Sequence, residues 1–366
     1  MKKILMSTSA LVAAGLMLAP GDSLAKVKIG VGGFFSTTMG VSDNEDDFEV
    51  GVNSGTDLAE RDAFNMVQDS EIYFRGNTKL DNGTRVDVVI QLETDQANTT
   101  DIDESYLKFT GAFGDVRIGS TASATTVLRN TAKYTGPYRL DTPDLNNFIS
   151  VPGAVTITNG NTHAMAGNDR EKIVYISPIM NGLRFGASWL PDNAAGNNRA
   201  IVGGNTTAPS TQAWDIGLQY GNKTFKADVA TGEFVGLESS GGKWIRGGIN
   251  ATFGATSIGA SMMNRDNNKG SLRDTANSDE AESIDVGIQH KMGAYTVGIS
   301  YFNSSAQLAA AGDDEETSMS LGASTAIGPG VTGSVGLYSV SHSDVTSTAT
   351  NNNDGWALIG QVKVAF

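Results

Sequence analysis

Trp356-Ala357-Leu358-Ile359-Gly360-Gln361-Val362-Lys363-Val364-Ala365-Phe366 closes the chain, and its two interleaved residue sets decide the fold. Successive side chains of a strand point to opposite sides, so Trp356, Leu358, Gly360, Val362, Val364 and Phe366 share one face. Ala357, Ile359, Gln361, Lys363 and Ala365 share the other. The first face is apolar with an aromatic at each end. The same period of two recurs in Trp214, Ile216, Leu218 and Tyr220 against Asp215, Gly217 and Gln219. It recurs again over 183–189, 295–301 and 85–93, where Val89 alone puts an apolar residue on the polar face.

A soluble sandwich also alternates. Three features favour a membrane barrel instead. The polar faces are built from Gly, Ser, Thr and charge, with too few large apolar residues to pack a second sheet. Aromatics such as Trp356, Phe366, Trp214 and Tyr220 sit at the ends of apolar faces, where headgroup-level girdles belong. The connections also alternate in length. Strands are predicted near 27–41, 66–80, 84–95, 101–111, 114–121, 171–177, 182–190, 212–221, 223–234, 243–254, 256–264, 282–291, 293–303, 316–327, 330–341 and 354–366.

Short links such as Asp81-Asn82-Gly83, Ala112-Phe113 and Gly328-Pro329 alternate with long polar ones, of which 122–170 is the longest. That pattern puts all short turns at one rim and all long loops at the other, as in an up-and-down barrel. The expected fold is therefore all-β: a 16-stranded antiparallel transmembrane β-barrel. Strands of about ten residues tilted by about 45° cross an outer membrane's apolar band of roughly 25 Å.

Composition agrees once the two faces are separated. The chain has 366 residues, is 39% hydrophobic, and carries no cysteine, 44 glycines and a net charge of −14. Its mean hydropathy of −0.17 reads as soluble only because lipid-facing and water-facing positions cancel. The acidic balance argues against a nucleic-acid partner. The absence of cysteine rules out a disulfide scaffold and cysteine-ligated metal. Residues 1–25 carry Lys2 and Lys3, an apolar stretch to Ala19 and the small-residue ending Ser23-Leu24-Ala25, the layout of a cleaved secretory signal peptide. Residues 26–366 then form one barrel domain.

Further motifs carry a family resemblance. They are Ser70-Glu71-Ile72-Tyr73-Phe74-Arg75-Gly76 followed by Leu80-Asp81-Asn82-Gly83-Thr84; Gly111-Ala112-Phe113-Gly114-Asp115-Val116-Arg117-Ile118-Gly119; Ile173-Val174-Tyr175-Ile176-Ser177-Pro178; and terminal Phe366. With the strand count, they make the mature chain resemble the general diffusion porins of Gram-negative outer membranes, of the alphaproteobacterial kind. The resemblance implies short periplasmic turns, long extracellular loops, and a water-filled channel for passive diffusion of small hydrophilic solutes and ions. It implies a homotrimer embedded in outer-membrane lipid and lipopolysaccharide. Assembly machinery would recognise the last strand through Phe366. It also implies that the third long loop, 122–170, folds inward to narrow the pore, with basic wall residues facing acidic loop residues. The loop lacks the Pro-Glu-Phe-Gly-type tip of many enterobacterial members.

Parity places Arg75 inward near mid-strand, and Arg117, Arg85 and Lys28 inward closer to the short-turn rim. Arg75, Arg117 and Arg85 are the wall candidates; Asp141 and Asp144, flanking Pro143, are the loop candidates. Arg129, Lys133 and Arg139 in the same loop complicate a purely acidic loop. No cofactor is expected. The acidic runs 43–47 and 313–316 are dense enough in oxygen for Ca²⁺ but lack the spacing of a known calcium loop, so solvated charge is the better reading. No enzyme is expected either, since His163, His290 and His342 are scattered without nucleophile or metal-ligand spacing. A substrate-selective channel would need a ladder of Lys/Arg or aromatics along the lumen, and an adhesion barrel would need apolar or repetitive loops. Neither shows. Net charge alone points to mild cation preference, although the constriction decides.

Overall fold

A computed structural model describes residues 27–52, 63–94, 101–155, 170–191, 212–235, 241–269, 278–308, 312–345, 348 and 351–366. Residues 1–25, read as a signal peptide, lie outside the described residues, as does His163. The alternating segments form sixteen strands. These are β1 (Lys28–Asp43), β2 (Phe64–Lys79), β3 (Arg85–Glu93), β4 (Asp101–Gly111), β5 (Gly114–Ser120), β6 (Glu171–Ile176), β7 (Leu183–Leu190) and β8 (Gln212–Gly221). The second half comprises β9 (Phe225–Val235), β10 (Gly241–Phe253), β11 (Thr256–Lys269), β12 (Ser278–Met292), β13 (Tyr295–Leu308), β14 (Asp313–Gly328), β15 (Val331–Ser343) and β16 (Asn353–Ala365). Two short helices, α1 (Asp46–Val52) and α2 (Ala124–Leu128), and a 3₁₀ turn (Pro143–Asn147) lie in long connections.

Each strand pairs antiparallel with its sequence neighbours, and β1 pairs with β16, so the sheet is a closed barrel. The seam runs from Phe34↔Ala365 to Asp43↔Trp356. It continues to the last residue: Gly33 N–H donates to the Phe366 carbonyl at 2.9 Å, and Phe366 N–H returns to Gly33 at 3.0 Å. Closure removes the unpaired edges that hydrocarbon does not tolerate.

Burial is inverted relative to a soluble protein. Ile299 (59%), Leu321 (56%) and Met319 (53%) are exposed on the outside, whereas inward Asp285 and Ser300 are covered to 0% and 2%. Trp356, Phe366 and Tyr220 are exposed and Trp214 is partly so, all with outward parity, as the alternation predicts. Trp244 is different: it points inward and is buried beside Ala230 and Met263.

Several strands run past their sequence-predicted ends at the long-loop rim. β11 reaches Lys269, β12 starts at Ser278, and β14 starts at Asp313. Above the apolar band both faces meet water, so the period-two signal fades although the backbone ladder continues. The acidic run 313–316 is consequently strand, not loop. Pairing sends Asp314 and Glu316 inward, where they are buried, and leaves Asp313 and Glu315 exposed on the other face, so the four carboxylates do not converge.

Depth-dependent lipid exposure gives a direct test. Leu337→Arg, outward and flanked by Leu321 and Leu358, is expected to cost about 2–4 kcal/mol in urea unfolding from phosphocholine bilayers. Inward Ser334→Arg is expected to cost under about 1 kcal/mol. Equal costs would contradict the assignment of faces.

Candidate functional site

The connection between β5 and β6 enters the barrel and lies along its inner wall. Glu104 of β4 accepts from Ala122 N–H at 2.7 Å and turns the chain inward. Ser123 caps α2, whose Ala124 N–H donates to the Ser188 hydroxyl (2.6 Å) and whose Thr125 hydroxyl donates to Asp215 (3.1 Å). Beyond α2, Asn130 donates from its backbone (2.6 Å) and its side chain (2.9 Å) to Asp228, which also holds an ion pair with Arg246. Arg246 in turn donates to the Asn130 carbonyl at 2.7 Å. Tyr134 donates to Asp285 (2.9 Å), a carboxylate that also accepts from Ser261 (2.6 Å).

Three buried wall carboxylates, on β8, β9 and β12, therefore seat three successive parts of the loop. None of them faces open water. Such buried groups are held by specific partners because an unmade charged hydrogen bond is expensive.

Glycine makes the close approach possible. A Cβ at Gly248, Gly259, Gly287 or Gly322 would overlap the carbonyl oxygens of Asn130, Thr131, Lys133 and Thr135 respectively. Four inward positions, on β10, β11, β12 and β14, are thus a track for the loop backbone. Glycine at these four positions does not keep the lumen open but lets the loop fill it.

The loop's second half is held by apolar packing. Leu140, Leu145, Phe148 and Ile149 cluster with Phe302, Tyr338, Val340, Ala357 and Ile359 of the wall. Asn353 closes the run, donating to Ser150 O (2.6 Å) and to Asn44 (2.8 Å), which itself accepts from Ser150 N–H at 3.0 Å. The loop therefore follows the wall from β7 round to β16 and reaches the long-loop end of β2, where Asn65 donates to the Asn147 carbonyl and Val67 packs on the same cluster; among the described residues it makes no such contact with Tyr73 or Arg75 farther along β2.

Beyond those contacts, on the wall of β2–β5, stand the predicted basic residues. The Arg75 guanidinium lies 5.0 Å from the Tyr73 ring centroid, and that of Arg117 lies 5.7 Å from Tyr106. Arg85 is exposed near the short-turn rim and bonded to Asp87 at 2.6 Å. Nearer the long-loop rim, carboxylate oxygens of Glu71, Glu93 and Asp103 approach within 4.8 Å of one another, a cluster that sequence spacing alone does not reveal because it spans three strands.

The predicted acidic loop pair divides. Asp144 is exposed and accepts from Thr142 at 2.6 Å. Asp141 is fully buried and held bidentate by Arg139 at 2.8 and 2.7 Å, so it offers no free charge to the lumen. It is a strut within the loop. Arg129, Lys133, Tyr134, Tyr138 and Arg139, with Asn250 and Gln289 of the wall, border a cavity of about 550 Å³. The loop face on this cavity is basic, opposite to the expected polarity. Burial, reinforced by Arg139, pushes the Arg129 pKa down to about 10. Burial and the nearby Lys226 lower that of Lys133.

Ser283 and His290 lie on opposite faces of β12, the former buried inward, the latter exposed and bonded to Thr256 at 2.8 Å. They cannot act on one substrate together.

A closed sixteen-strand barrel, lipid-facing outside and polar inside, with a loop laid through its lumen, defines a transmembrane channel of the outer-membrane type. The sequence profile of the Gram-negative porin family matches residues 7–353, and the chain belongs to that family. It is an outer-membrane channel for passive diffusion. No curated protein matches it in sequence.

Its fold is similar to the anion-selective porin from Comamonas acidovorans, at 15% identity and a TM-score of 0.66, covering 93% of this chain and 100% of that one. Similar too are the outer-membrane channel DcaP of Acinetobacter baumannii (12%, TM-score 0.62, 95% and 100%) and the trimer form of OmpT of Vibrio cholerae (8%, TM-score 0.63, 93% and 99%).

The glycine track is testable. Gly322→Val should leave the barrel folded but push the loop into the opening, lowering single-channel conductance. Unchanged conductance with a normally folded barrel would show that the loop does not lie there.

Proposed function

We propose that the chain is a weakly selective porin whose aqueous path is narrowed between the inward loop and the stretch of the β2–β5 wall around Arg75. The observation that supports this reading is the seating of the loop along β7–β16 and the long-loop end of β2, which leaves Arg75 exposed on the wall beyond those contacts, with Arg117 half-buried beside Tyr106. Arg75 and Arg117 supply wall charge and Asp144 supplies acidic loop charge. Arg85, partnered by Asp87, belongs to the rim. Asp141 acts indirectly by fixing Arg139. The transverse field of such groups orients and screens passing solutes.

The working unit in this reading is a homotrimer. Outward Gln68, Ser70 and Thr94 support a protomer contact on β1–β3, since lipid is a poor partner for them; Ser70 and Thr94 hydroxyls bond at 2.6 Å. Lipopolysaccharide is the partner at the long-loop rim, and Phe366, at the seam, is the residue the assembly machinery reads. No catalysed reaction is assigned.

Arg75→Ser tests the constriction. It should shift the reversal potential in a KCl gradient toward cations and raise the solute cutoff. Unchanged ion selectivity and cutoff would remove Arg75 from the constriction.

A further inference from the structure

Residues from β16, β1, β2, β4 and β5 meet in one strip on the inner wall, so no single stretch of sequence shows it. Directly paired residues share a face. Phe34 pairs with Glu71, Tyr73 with Gly32 and Gln91, Arg75 with Gly30 and Val89, Val89 with Tyr106, and Arg117 with Lys108. Phe34, then Tyr73, then Arg75 with Tyr106, then Arg117 therefore stand on successive inward rungs, running from the long-loop side toward the short turns. Rungs on one face lie about 7 Å apart, so the strip extends for about 20 Å along the strands.

Each ring of the strip carries a cation. The Lys363 ammonium lies 3.3 Å from the Phe34 ring centroid, the Arg75 guanidinium 5.0 Å from that of Tyr73, and the Arg117 guanidinium 5.7 Å from that of Tyr106. Among the described residues, Arg75 and Lys363 make no hydrogen bond or ion pair, and Arg117 Nε is buried without a partner. Acids stand close by: Lys363 shares a rung with Ser36 and Asp69, yet it rests on Phe34. Asp87 and Asp115 are taken by Arg85 (2.6 Å) and Lys108 (3.3 Å). The rings, not carboxylates, position these three cations.

Beside Tyr73 and Arg75 the wall is recessed. Their direct partners on β1 are Gly32 and Gly30, and a Cβ added at Gly30 would meet open space. The Phe34 and Tyr73 rings, 6.4 Å apart and inclined by 54°, bound the recess above, and the exposed Arg75 guanidinium borders it.

We propose that this recessed strip binds planar aromatic solutes of the nucleoside class as they pass. A guanidinium that rests on one ring offers its remaining face to a second π-system. Two glycines leave room for a flat solute against the backbone of β1, where any side chain would stand in the way. Recognition is through ring faces, so a neutral base is held and its identity matters little. This inference rests on the reading of the chain as an open channel with Arg75 on its wall, and adds to it a preference among solutes of equal charge.

Single channels in planar bilayers test it with adenosine against sucrose, a neutral solute without a π-face. Both probes are uncharged, so attraction to basic groups contributes to neither. Adenosine is expected to reduce KCl current at concentrations about tenfold below those at which sucrose does so. The double variant Tyr73→Leu, Arg75→Gln should bring adenosine to the level of sucrose. Gly30→Leu, which fills the recess with Tyr73 and Arg75 in place, should do the same. Lys243→Gln, on an outward position of β10, should leave the difference intact.

Equal effects of the two probes on the native channel, or an adenosine effect unaltered in either conducting variant, would overturn the stacking strip and leave the channel reading standing. Absence of conductance from folded protein would instead sink the channel reading, and the strip with it.

Discussion

In hydrocarbon no water is present to satisfy a backbone N–H or C=O, so a sheet that crosses the membrane must end where it began. The seam between β1 and β16 meets that requirement, down to the reciprocal bonds of Gly33 and Phe366. Everything else follows from closure. Once the sheet closes, one face of every strand is committed to lipid and the other to an enclosed space, and a barrel of this strand number is too wide for its own side chains to fill.

That enclosed space leaves the inward loop without a conventional core to dock on. Two devices replace it. Asp215, Asp228 and Asp285 give directional anchors under the first half, and the inward glycines let backbone meet backbone at contact distance. The second half rests on the largest apolar cluster among the described residues, around Phe302, Tyr338 and Ile359. A desolvated pair such as Arg246–Asp228 adds little net stability relative to an apolar substitute, but it fixes where Asn130 sits. Because the seats use up acids from one side of the lumen, the water-facing charge differs from the total.

The strands were legible because a half-lipid, half-water environment writes itself as a strict period of two; Trp356 through Phe366 contains the whole rule. Strand ends at the long-loop rim were less so, since at Asn264 or Asp313 both faces are polar and the period carries no signal. In the lumen, parity alone put Arg75 and Arg117 on the inner wall. It could not reveal that Asp141 is neutralised by Arg139, because a loop has no parity and the pairing depends on how its segment lies. Nor could it separate glycines that keep the lumen open from those that seat the loop. That distinction belongs to contacts between residues such as Gly322 and Thr135, nearly two hundred positions apart.

The loop is fastened to the wall and is part of the barrel's fixed interior. Amide hydrogen exchange of the protein in lipid measures this directly. The N–H groups of Ala124, Asn130, Tyr138 and Ser150 each donate to a defined acceptor, the hydroxyl of Ser188, Asp228, the hydroxyl of Tyr338 and Asn44 respectively. Peptides covering them should be protected comparably to neighbouring strands. Exchange of those amides at the rate of an unstructured chain, with the strands still protected, would show that the loop is not fastened to the wall.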